Sequence, residues 1–193
     1  MENEIVAKSF KESVKTKERF LTKKNSALIV QSAEMIVESF KGGGKLLIVG
    51  NGGSAADAQH LAAEFVNRFE IERPPLPALA LTTDTSNLTS IGNDYSFDQA
   101  FSKQVRALGK EQDVLLAIST SGNSPNIIKA ADTARSIGMR IIALTGKGGG
   151  ALAEKSDIVL SVDSKTTARI QEVHITVCHI LCELVDHMLF QKV

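Results

Sequence analysis

Apolar residues recur at helical intervals through the first forty positions of the chain. Val6, Phe10 and Val14, and then Leu28, Ile29, Met35, Ile36 and Phe40, lie one or two turns apart among lysines and glutamates, which predicts two helices between Ile5 and Phe40. Gly42-Gly43-Gly44 ends the second, because glycine tolerates the positive φ of a helix C-cap. From Leu46 onward the pattern changes to short continuous apolar runs: Leu46 to Val49, Ala78 to Leu81, Val114 to Ile118, Ile141 to Leu144 and Ile158 to Val162. Lacking the polar alternation of a strand with one wet face, they predict five strands covered on both sides. Helical patterns separate most of them, at Ser54 to Phe65, Ser96 to Leu108, Pro125 to Ile137 and a short Ala151 to Lys155, and Arg169 to Phe190 forms the last helix. Alternating β and α units predict an α/β chain built on a mostly parallel sheet. Arg73-Pro74-Pro75-Leu76-Pro77, too short for a domain linker, reads as the loop entering the second strand.

The 193 residues fit one domain, with residues 1–41 as N-terminal helices and 45–193 as the α/β core. Lys and Arg number 22 against 22 Asp and Glu, so no excess of positive charge draws the chain to nucleic acid or to an anionic membrane. Two cysteines, Cys178 and Cys182, both in the last apolar stretch, read as packing residues of a reducing compartment, and the cytoplasm is the expected location. The first residues lack a signal-peptide pattern, and no later run reads as long and uncharged enough to span a bilayer.

Ligands of a parallel sheet bind beyond the carboxyl ends of its strands, which directs attention to the loops after Val49, Leu81, Ile118 and Leu144. The first, Gly50-Asn51-Gly52-Gly53-Ser54-Ala55-Ala56-Asp57, resembles an anion cradle, its glycines admitting a ligand close to the backbone and Ser54 placed to cap the following helix. Gly50, Gly52 and Ala55 also fit a loose dinucleotide fingerprint, a weak signal, and Gly146-Lys147-Gly148 lacks the spacing of a Walker A loop. The loop Ser119-Thr120-Ser121-Gly122-Asn123-Ser124 offers four hydroxyls after a buried strand, with Pro125 at the first helical position, and reads as a phosphate site. Thr145-Gly146-Lys147-Gly148-Gly149-Gly150 is either a third ligand-facing loop or a tight turn.

His60 and Glu64 lie one turn apart on the helix that leaves the first cradle, a pair able to share a proton or a metal ion. On the last helix Gln171 and His179 form a polar edge, two i,i+4 steps and a rise of about 12 Å apart, so a single ion reaches both only if the side chains lean together. His174 and His187 read as surface or partner-facing, Asn93-Asp94-Tyr95 as a connection between helices, and Arg68 and Arg169 as distant ligand contacts or surface ion pairs.

Taken together, the stretches Val49 to Glu64, Ser119 to Ser124 and Ala168-Arg169-Ile170-Gln171-Glu172-Val173-His174 resemble the phosphoheptose isomerases of the sugar-isomerase (SIS) domain superfamily along nearly the whole chain. The resemblance implies a three-layer SIS-type, flavodoxin-like fold: a five-stranded parallel sheet with helices on both faces and an N-terminal helical arm. It implies a homotetramer with active sites at subunit interfaces, a sugar-phosphate substrate, and one zinc ion per subunit at His60, Glu64, Gln171 and His179. Substrate contacts are implied at Asn51, Gly52, Gly53, Ser54, Glu64, Asn93, Asp94, Ser119, Thr120, Ser121, Ser124 and Gln171. The implied reaction converts the ketose sedoheptulose 7-phosphate into an aldose heptose 7-phosphate, the first step toward nucleotide-activated heptose for lipopolysaccharide or another surface glycan. Glu64 is then the base and His179 the acid of an enediolate-type proton transfer. Ala168 departs from the pattern, standing where some members carry an acidic residue. The competing readings are a non-catalytic SIS protein, binding a sugar phosphate or associating with a replication initiator, and an isomerase of another sugar phosphate. An intact acid/base set favours the enzyme.

Overall fold

The computed structural model describes residues 1–191. Two long helices open the chain, α1 (Glu2–Phe20) and α2 (Lys23–Lys41), the second begun by Thr22, whose side chain accepts a hydrogen bond from the Asn25 N–H at 3.1 Å. Then come β1 (Leu46–Gly50), α3 (Gly53–Val66), β2 (Ala78–Ala80), α4 (Thr85–Asp94), α5 (Ala100–Leu108), β3 (Val114–Ser119), α6 (Pro125–Ile137), β4 (Arg140–Thr145), α7 (Gly150–Ala153), β5 (Ile158–Ser161) and α8 (Thr167–Asp186). One turn of 3-10 helix precedes α5, and a π-helical turn, His187–Gln191, follows α8.

All five strands are parallel, in the order β2-β1-β3-β4-β5. Their side chains divide between two cores, as the period of two requires. Leu46, Ile48, Leu116, Ile118, Ile142 and Leu144 pack against α2, α3 and α8, whereas Leu47, Val49, Leu115, Ala117, Ile141 and Ala143 pack against α5, α6 and α7. The three-layer α/β fold expected from the sequence is therefore present, with each apolar run at its expected place. Buried Asp113 ties the start of β3 to that of β1, accepting from the Lys45 N–H at 2.9 Å, the Lys110 N–H at 2.8 Å and the Lys45 ammonium at 2.5 Å.

Several local expectations are corrected. Asn93 and Asp94 do not lie in a connecting loop; they form the last turn of α4, a helix begun by Asp84, whose carboxylate accepts from the Asn87 N–H at 2.9 Å. Ser54 does not cap α3: Gly52, at φ 55°, holds the cap position and Ser54 is buried inside the first turn. The stretch Thr167–Gln191 is long and apolar enough to cross a membrane by length and composition, contrary to the sequence reading. Its residues Ile170, Val173, Val177, Cys178, Leu181, Cys182 and Val185 are instead core, packed on the sheet side of the helix. His174 is 1% exposed rather than at the surface, its Nε2 3.1 Å from the Thr145 carbonyl, and burial pushes its pKa down to about 4.

Candidate active site

Beyond the carboxyl ends of β1 and β3, on either side of the point where chain connections leave in opposite directions, lies a cleft of about 300 Å³. Asn51, Gly52, Gly53, Ser54, Ser119, Thr120, Ser124 and Gln171 line it, joined by Ile118 and Thr167. Eight of the residues singled out in the sequence are thus brought together from three separate segments. A more enclosed cavity of about 190 Å³ lies between α1, α2 and α8, its wall mostly the apolar Phe20, Leu21, Ile29, Val173, Val177 and Ile180, with Lys17, Asn25, Ser26 and Thr176 beside them, and it lies away from the strand ends.

The serine loop owes its shape to its own hydroxyls. Ser119 Oγ lies 3.1 Å from Ser124 Oγ and 3.4 Å from Ser121 Oγ, and accepts from the Gly122 N–H at 3.1 Å. Ser124 holds the N-cap position of α6 without capping it through its side chain, so its hydroxyl turns into the loop while Pro125 takes the first helical position. Hydroxyls converging beside a helix N-terminus form an anion site that needs no cation. Among the described residues, no lysine or arginine lines the cleft.

The third glycine-rich loop packs against this one, and its Lys147 borders a neighbouring pocket with Thr120 and Ser121. A side chain at Gly146 would run into the Thr120 carbonyl, and the Leu152 N–H donates to the Gly122 carbonyl at 3.0 Å. Across the cleft, Gly53 serves a similar close approach: a Cβ there would meet Nε2 of Gln171. Gln171 therefore faces the first cradle.

A reciprocal amide pair joins the two cradles. The Asn51 amide donates to Asn126 Oδ1 at 2.9 Å and the Asn126 amide donates to Asn51 Oδ1 at 2.8 Å, while Asn126 Oδ1 also accepts from the Ile127 N–H at 3.0 Å. Asn126, 3% exposed, was not singled out in the sequence, and the side chain of Asn51 is engaged with it.

The groups able to move protons stand farther along α3 and α8. His60 Nε2 lies 3.0 Å from His179 Nε2 and 3.4 Å from Glu64 Oε1, with Glu64 the less exposed of that pair. Phe69, just beyond α3, stacks on His179 with ring centroids 5.7 Å apart and planes inclined by 25°. Asp57, one turn before His60, has a buried Oδ2 without a hydrogen-bond partner. Burial raises its pKa, an effect that the nearby His60 and His179 oppose. Asp57 is a carboxylate of the site that the sequence reading passed over.

The donor types of this cluster suit zinc. Ligand atoms at about 2.0–2.1 Å from a tetrahedral ion lie roughly 3.3 Å from each other, close to the separations that His60 makes with His179 and Glu64. Among the described residues, no group of three or more His, Cys, Asp or Glu gathers closely enough to hold a metal, so His60, Glu64 and His179 would have to draw together around an ion. Cys178 and Cys182 are free and buried, and burial raises both thiol pKa values, as befits packing residues.

Asn93 and Asp94 are not brought to the cleft; they are exposed, bonded to each other at 2.8 Å, on an α4 that packs with α5. Arg68 makes an exposed contact of 3.7 Å with Glu72. Arg169 bonds Glu172 at 2.6 Å and the Ser9 carbonyl, tying α1 to the start of α8.

Residues 9–146 match the model of the SIS domain. The chain is 60% identical over 169 residues to the phosphoheptose isomerase of Nitratidesulfovibrio vulgaris strain Hildenborough, spanning 88% of this chain and 81% of that one. Its structure resembles that of a phosphoheptose isomerase from Neisseria gonorrhoeae, with a TM-score of 0.90, 49% identity and 96% and 99% of the two chains covered. It also resembles one from Francisella tularensis, with a TM-score of 0.93, 43% identity and full coverage of both chains.

Proposed function

The chain belongs to the SIS domain family and to its phosphoheptose isomerases, and from this premise we propose that it interconverts sedoheptulose 7-phosphate and an aldose heptose 7-phosphate. The observation that carries the reading is the pairing of a hydroxyl-lined cleft with an imidazole–carboxylate cluster on α3 and α8, the two helices whose first turns border that cleft. One end suits a phosphate dianion and the other suits proton transfer at the far end of a sugar.

In this reading Ser119, Thr120, Ser121 and Ser124 hold the phosphate, with the backbone of Gly52 and Gly53, Ser54 and Gln171 along the sugar. Glu64 removes the proton from C1, beside the C2 carbonyl of the ketose, giving an enediolate; His179 assists as the acid, a proton returns to C2, and the O1 proton leaves as the aldehyde forms. His60, Glu64 and His179, joined by Gln171, would hold zinc, which when bound supplies a Lewis acid for the sugar oxygens. Ala168 has no carboxylate to contribute, and Glu64 is the one carboxylate that these steps require.

We place the active sites in a homotetramer. Supporting this, Ile5, Val6, Phe10 and Val14 form an exposed apolar stripe on α1, and Asn93 and Asp94 stand away from the cleft of their own chain, available to a neighbouring copy. The product would enter nucleotide-activated heptose synthesis for a surface glycan, in the cytoplasm.

The test is aldose formation from sedoheptulose 7-phosphate by purified protein, with chelator and with zinc restored. Turnover abolished by chelation and restored by zinc is the expected result. Absence of turnover under all conditions would overturn the reading in favour of a binding protein or another sugar phosphate. Unchanged turnover after metal analysis shows the protein zinc-free would remove zinc from it.

A further inference from the structure

We infer that Arg73, on the proline-rich loop before β2, is a positioning residue for the isomerisation, its guanidinium clamping the end of α3 to the end of α8 so that His60 and Glu64 meet His179. The inference rests on the proposed function.

The Arg73 side chain is 1% exposed, and every nitrogen of its fork is engaged. Nε donates to Asp186 Oδ1 at 2.8 Å, Nη2 to the Glu64 carbonyl at 2.9 Å, and Nη1 to the Phe65 carbonyl at 2.7 Å, with longer contacts of 3.3 Å to the Asn67 and Pro74 carbonyls. The carbonyls at the end of α3 lack partners within the helix, and a cation there also meets the negative end of the helix dipole. Asp186 ends α8 seven residues beyond His179, two turns along the same face. One planar group thus grips the backbone of Glu64 itself and the helix that carries His179.

Stability alone does not explain such a pair. Removing two charges from water is costly, and apolar residues of similar volume often serve a core as well or better. What the fork supplies is direction: several donors at fixed angles, aimed at two helix ends that no strand pairing holds in register. Arg73 contacts none of the serine loop, so the phosphate cradle lies outside its grip.

The experiment compares R73K and D186N with wild type, measuring kcat and KM for sedoheptulose 7-phosphate and, by NMR, exchange of the substrate C1 proton with solvent deuterium. All assays run at a temperature where each variant's circular dichroism and hydrodynamic radius match wild type. Lysine keeps the charge without the fork, and asparagine keeps the shape without the charge. We expect kcat and C1 exchange to fall about tenfold or more in R73K and several-fold in D186N, with KM within about twofold of wild type. If R73K does not fold, D186N decides by the same criteria. Folded variants with wild-type kcat, or with losses confined to KM, would overturn the inference while wild-type turnover leaves the functional reading intact. A wild-type protein without turnover would overturn both.

Discussion

Replacing Asn126 by alanine should loosen the two cradles from each other without touching any group proposed to move a proton. The substitution removes both bonds of the Asn51–Asn126 pair and the one Asn126 Oδ1 accepts from the Ile127 N–H. Each is worth about 0.5–1.5 kcal/mol net, and because Asn51 is only half-buried, water can take up its share, so a loss of roughly 2 kcal/mol is expected. For a chain of this size that corresponds to a fall in Tm of roughly 4–8 °C. The cradles would then no longer hold the phosphate and the sugar in fixed relation, and KM should rise about tenfold while kcat falls less. The decisive assay is a double-mutant cycle with N51A, read in both Tm and KM. A shared pair gives a coupling of about 1 kcal/mol or more, whereas effects that add within about 0.5 kcal/mol would refute the reasoning, as would an unchanged KM in N126A.

Other outcomes follow from the same structure. His174 titrates at about 4 when folded, below the ordinary 6.5, so the unfolded chain binds more protons between these values and stability should fall as pH drops from about 6.5 to about 4. The loss is on the order of 3 kcal/mol, and acid denaturation of H174Q should show a shallower slope across that window. S124A removes one hydroxyl from the serine loop, and steady-state kinetics should show KM raised about 10–100-fold, the worth of a hydrogen bond to a charged group. In G53A the new Cβ displaces only the flexible amide of Gln171, so activity should drop with Tm almost unchanged. In G146A it strikes the Thr120 backbone, and Tm should fall with activity; thermal scans beside kinetics check both.

The parts of the fold written as long apolar runs were readable from sequence, because strands buried on both faces leave little else for those residues to do. The serine loop was readable for the opposite reason: so many hydroxyls after a buried strand exceed what a turn requires. α4 was not, since Thr85-Ser86-Asn87-Leu88-Thr89-Ser90-Ile91 carries only two apolar residues and buries none of its side chains. Its one signal was Asp84 as a cap. His174 could have been placed inside, standing four residues after Ile170 and three before Val177 on the buried stripe, but a histidine invites a surface reading. Arg73 and Asn126 owe their importance to partners 113 and 75 residues away, a relation no local pattern carries.

The two edge strands, β2 and β5, are only three and four residues long, and β2 follows a stretch containing Pro74, Pro75 and Pro77. A sheet so blunted offers almost no run of unpaired N–H and C=O groups to another chain, which guards it against edge-to-edge aggregation while the protein is concentrated or partly unfolded. Growth by strand addition is closed to it. The proposed homotetramer would then have to form through side chains on helical faces and loops, where a few substitutions on α1 would retune association while leaving the sheet and the cleft above it undisturbed.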